Sequence, residues 1–176
     1  MPVLQPRGGH FGLILPLCTS SATVGLALYQ YTVFLPWLQA QPSIAGKALS
    51  LYWDPHIKQA GGLVAAVAAT SAFSGFVSAR WLQTHATLET TDVSKWYTIG
   101  AAFAAGHVLC MPFVVGPIKR IIDAGHASTK SDEDADKANR EEMKKWFTMH
   151  TLRTLLLDLP ALLCFAEGAA LSFWVI

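Results

Sequence analysis

The chain has 176 residues, 52% of them hydrophobic and only 14% charged, with a formal net charge of +1 and a mean hydropathy of +0.36. A soluble domain carries about 25% charged residues, so composition excludes an ordinary water-soluble globule and points to a membrane protein. The near-neutral balance supplies no basic field for nucleic acid.

Four apolar stretches stand out, at 11–35, 61–82, 96–118 and 150–176. Each has at least the roughly 20 residues a helix needs to cross a hydrocarbon core. This predicts an all-α membrane protein, a four-transmembrane-helix bundle forming one domain over 1–176. The first stretch follows Arg7 and is longer than the about 7 to 15 residues of a signal-peptide core, so it is expected to be retained. Thr19, Ser20, Ser21 and Thr23 within it are small polar residues suited to close helix packing. Near its end Tyr29, Gln30 and Tyr31 are placed either to line a pocket or to sit in an aromatic belt.

The first loop, 35–62, mixes Pro36, Trp37, Pro42, Trp53, Pro55 and His56 with little charge. Such segments lie at headgroup level or fold over a bundle mouth, which predicts an interfacial lid carrying Trp53 and His56 as substrate contacts. The second stretch is rich in Ala and Gly, with Thr70, Ser71 and Ser74 as packing residues. The third carries His107, and Pro112 and Pro117 bracket Gly116 near its end, where a kink or unwound turn is expected. Cys18, Cys110 and Cys164 each fall inside a span with no CxxC spacing, so they read as buried small hydrophobes.

The third loop, 119–147, is the strongly hydrophilic segment. Its acidic run at 128–137 lacks the Gly turn and terminal Glu of a calcium loop, and reads as a solvated linker with a helix starting at about Asp134. Lys and Arg distribute nine to three: Lys47, Lys58, Lys119, Arg120, Lys130, Lys137, Arg140, Lys144 and Lys145 against Arg7, Arg80 and Lys95. By the positive-inside rule the third loop faces the cytosol. If the source is eukaryotic, the endoplasmic reticulum is the expected membrane.

Charge inside the fourth stretch marks function by default, because ionisable groups at membrane depth are costly to insert, by about 2.5 to 3.5 kcal/mol. At 100° per residue Trp146, His150 and Arg153 fall within about 60° of one another. Glu167 lies about 40° beyond Arg153, and Asp158 points to another side. The alternative is an interfacial role, with Trp146 and His150 in the aromatic belt and Arg153 snorkelling. His107 lies about 16 Å from the end of the third stretch and Asp158 about 12 Å into the fourth, similar depths that allow a pair. Otherwise His107 bonds a hydroxyl and Asp158 the backbone.

Several features taken together resemble the anthrone oxygenase-like family of small four-helix integral membrane proteins. They are the Pro36-Trp37-Leu38 end of the first span, the aromatic loop ending at Gly61, Tyr97, Pro112, and the spacing Trp146-x3-His150-x2-Arg153. The resemblance implies a membrane-bound biosynthetic enzyme that oxidises a lipophilic phenolic or anthrone-like polyketide intermediate with O2, without flavin, haem or metal. It matches Trp146 and Arg153. The chain departs where the fungal oxygenases usually carry Asn, here His150, and in Gly116-Pro117-Ile118-Lys119 after the third span.

The chemistry requires a base, a cation for the resulting oxyanion, and a dry cavity. His150, Arg153, Asp158 and His107 are the catalytic candidates. Trp146, Tyr29, Trp53, His56 and Glu167 are the substrate-binding ones. No cofactor and no metal are expected; the expected partners are a lipophilic small molecule and the bilayer, and a second copy of the chain is the further candidate. The same groups would serve an acid/base isomerase or cyclase acting on a polyketide or terpenoid. A metal site on His56, His107 and His150, or a non-catalytic structural role, is also consistent with the residues.

Overall fold

The computed structural model describes residues 9–40, 43–84, 90–127 and 131–175. Arg7, Pro42 and Lys130, used above, lie outside them. The described chain is all helical: α1 (Gly9–Gln39), α2 (Lys47–Thr84), α3 (Thr90–His126), α4 (Asp132–Arg153), a π-helical turn (Thr154–Asp158) and α5 (Leu159–Val175). The last three run on as one rod, giving four helices long and apolar enough to cross a membrane. Their outward faces carry Phe73, Leu109, Phe113, Leu163 and Phe173, each more than 60% exposed. Such a surface is out of place in water and fits a hydrocarbon surround.

The helices extend well past the apolar stretches. Most of the segment read as a lid is helical, because α2 begins at Lys47 and takes in Trp53, Pro55 and His56. Pro55 is tolerated in this long helix, whose packing against its neighbours over-determines the conformation. The hydrophilic third loop likewise shrinks. α3 continues to His126, and α4 starts at Asp132, where Ser131 Oγ accepts from Asp134 N at 3.1 Å and three acids occupy the first turn. Nor does α3 break at Pro112–Pro117, for both prolines lie inside the continuous helix.

The polar start of α4 clamps the entry to α2. Asp132 Oδ1 accepts from Lys47 N at 2.8 Å, and Asn139, fully buried, donates to Ala45 O and Gly46 O at 2.8 and 2.9 Å. Ser50 Oγ donates to Ile121 O at 2.6 Å, and a Cβ on Gly125 would lie 2.2 Å from Ser50 Cβ, so only glycine lets α2 and α3 approach this closely.

Two apolar cores follow along the bundle. One gathers Leu49, Trp53, Ile121, Met143 and Trp146. The other gathers Leu82, Tyr97, Ala101 and Phe165, with the Phe165 ring filling space that a Cβ on Gly75 or Gly100 would occupy. Between them in sequence on every helix lies a buried polar layer: Ser20, Thr23, Ser71, His107, Arg153 and Asp158. Cys18 is exposed and Cys110 half-buried, so only Cys164 matches the expected burial.

Candidate active site

The π turn builds this layer. Five residues of α-helix turn through about 500°, leaving positions i and i+5 roughly 140° apart. Here the Leu159 N–H reaches back five residues to Thr154 O, and the wider turn carries Asp158 onto the face of Arg153. Arg153 Nε lies 3.5 Å from Asp158 Oδ2, an ion pair too long for a good hydrogen bond. Asp158 therefore does not point away from the Trp146-His150-Arg153 face, as uniform helical spacing had it.

Both nitrogens of His150 are engaged. Nε2 lies 3.0 Å from Ala27 O and Nδ1 lies 3.0 Å from Arg153 Nη2. A carbonyl only accepts and a guanidinium only donates, so Nε2 carries the hydrogen and Nδ1 the lone pair: His150 is neutral. Trp146 stacks on its ring at 4.8 Å and 10°, and Tyr31, bonded through its hydroxyl to Thr151, packs on it at 5.1 Å. His150 is thus a fixed bracket for Arg153.

On the other side of the layer His107 Nδ1 meets Asp158 Oδ1 at 2.7 Å, both residues being at most 2% exposed. The expected pair exists. With Asp158 ionised opposite the guanidinium, Nδ1–H donates, and Nε2 is left without a partner among the described residues.

Arg153 and Trp146 reach a cleft of about 250 Å³. Its walls are apolar, formed by Ile57 and Val64 of α2 and Met111, Val114, Val115 and Ile118 of α3, and Gln30, Trp53 and His56 complete it. Trp53 stacks on Phe34 at 4.0 Å, while His56 stands edge-on to Phe34 and over Tyr52. The indole N–H of Trp146 and Nε of Arg153 are buried without hydrogen-bond partners among the described residues, Nε lying toward Asp158 in the long ion pair. In chemical terms the cleft offers a desolvated cation, an imidazole and apolar walls.

The structure therefore unites Trp146, His150, Arg153, Asp158 and His107, and brings Trp53 and His56 to the cleft. It does not bring Tyr29, which is 60% exposed, or Glu167, which faces outward on α5. Met111 and Val114 carried no signal in the sequence, since a cleft wall and a lipid-facing wall look alike there. Among the described residues no three His, Cys, Asp or Glu side chains gather as metal ligands would.

Comparison with known proteins finds the probable epoxidase scpX of Mollisia scopiformis, 30% identical over 159 residues that cover 89% of this chain and 92% of that protein. The epoxidase gkaX of Penicillium citrinum is 27% identical and the epoxidase pydX of an Acremonium species 26% identical, each matching 89% of this chain and covering 91% and 90% of the relative. No family model and no solved structure matches. At that identity and coverage the chain belongs to the family of the Mollisia protein.

Proposed function

We propose that this chain, a member of the family of these fungal epoxidases, is a membrane-embedded oxygenase of the anthrone oxygenase-like type, acting on a lipophilic enol or phenol in the cleft beside Arg153. The observation that carries the reading is Arg153 itself. It is 7% exposed, held by His150, and turned to an apolar cleft among four helices suited to a membrane. A buried cation beside an apolar cleft is matched to an oxyanion that forms during reaction. The relatives' names favour oxygen insertion over isomerisation or cyclisation.

In this reading the substrate slides between the apolar walls and sets its hydroxyl oxygen against Arg153. His56 takes the hydroxyl proton, and the oxyanion rests on the guanidinium. The electron-rich ring then reduces O2. One oxygen atom enters the product and the other leaves as water; its two electrons come from the substrate, and its two protons come from His56, which is thereby restored, and from the ring carbon that is oxidised. His150 is a positioning residue, since it has no free nitrogen for the proton.

The test is oxygen uptake by the purified protein in detergent with an anthrone and with a hydroquinone as substrates. Arg153→Ala is expected to lower kcat/KM by about 10² to 10³, the scale for losing an oxyanion donor. Full activity in Arg153→Ala, or substrate conversion under nitrogen, would overturn the reading.

A further inference from the structure

Behind the cleft, the polar layer encloses a cavity of about 10 Å³ lined by His107, Asp158, Ser20, Thr23 and Ser71. A volume of this order admits one water molecule when polar partners surround it. The partners are there. His107 is 1% exposed, its Nδ1 is fixed on Asp158, and Nε2, on the opposite edge of the ring, has none of the described residues to bond. The hydroxyls of Thr23 and Ser71 donate to Thr19 O and Val67 O, which leaves their oxygens free to accept.

We propose that this cavity binds a single water molecule at His107 Nε2, and that through it the His107–Asp158 pair takes up one proton when an anionic oxygen binds Arg153 in the cleft. The proposal rests on the oxygenase reading of that cleft. Asp158 is the counter-charge of Arg153 at 3.5 Å. A second anion on the guanidinium leaves the buried cluster one negative charge in excess, which a low-dielectric interior penalises. A proton on Nε2 makes an imidazolium and cancels that excess. The water breaks an O–H bond as the N–H bond forms, and regains its proton from solvent.

The charged and titratable groups around His107 leave this role to it. From the fourth rod come Asp158 and, beyond it, Arg153 and the neutral His150, while Cys110 stands one turn along α3. At the cavity, α1 and α2 present hydroxyls and Ala68, with no titratable side chain among the described residues.

The experiment is calorimetric titration of the intact protein in detergent with naphthoate, an unreactive lipophilic anion, at mildly alkaline pH in two buffers of different ionisation enthalpy. The wild type is expected to take up about one proton per anion bound. His107→Gln should take up none and bind about tenfold more weakly. Ala68→Val, which fills the cavity from α2 and leaves the pair intact, should lose the uptake while melting at a temperature that shows it folded. Anion binding without proton uptake in the wild type, or uptake unchanged in both variants, would overturn the proposal and leave the cleft reading standing. If naphthoate fails to bind the wild type, or binds Arg153→Ala equally well, both fall together.

Discussion

His150 has no nitrogen left for proton transfer, because Ala27 O and Arg153 occupy both. Its role can be separated from a base's by substitution. Asn at this position offers an amide oxygen to Arg153 and is the residue usual in the oxygenases this chain resembles, so His150→Asn should keep activity within about tenfold of the wild type. His150→Phe keeps the stack on Trp146 but releases the guanidinium, and should lower kcat by about ten- to a hundredfold, the scale of a buried hydrogen bond to a charged group. Equal losses in both variants, measured as initial rates on protein shown to be folded, would return His150 to the chemistry. The identity of this face was legible, since Trp146, His150 and Arg153 follow helical spacing. That neither nitrogen is free was not, because the Ala27 carbonyl comes from a helix more than a hundred residues away.

Among the elements, apolar runs revealed that four helices exist but not where they end. Residues 47–60, 119–126 and 132–149 are helical with too little apolar sequence to announce it, and their stability comes from packing and from the α4 clamp. Asn139→Ala leaves Ala45 O and Gly46 O without their buried donor and should destabilise the fold by about 1 to 3 kcal/mol, read as a lower denaturation midpoint. An unchanged midpoint would mean that the α1–α2 connection is held by other contacts. The π turn is the element furthest from sequence reach. Nothing in Thr154–Asp158 distinguishes it from an α-helical turn, yet it decides that Asp158 faces Arg153 and His107. Uniform 100° spacing therefore failed at the candidate site, and π turns are frequent at functional sites.

For the whole molecule, composition was sufficient to indicate a membrane bundle, and the exposed Phe and Leu residues agree with it. Depth counting also put His107 and Asp158 at one level, as they are. The arrangement of two apolar cores with a polar layer between them needed coordinates, because each helix contributes only one or two of the residues involved. That arrangement explains how a chain with so little charge keeps a cation, an anion and two imidazoles out of water: each is bracketed by another of the four. Four helices around an apolar cleft suit a substrate that arrives from the bilayer, and its oxidation there is the central claim. Turnover of such a substrate under isotopically labelled dioxygen, followed by mass spectrometry of the product, tests it most directly. One heavy oxygen per product molecule is expected with the wild type, and the signal should collapse in Arg153→Ala. Product formed without the label, or formed equally well in the absence of oxygen, would contradict it.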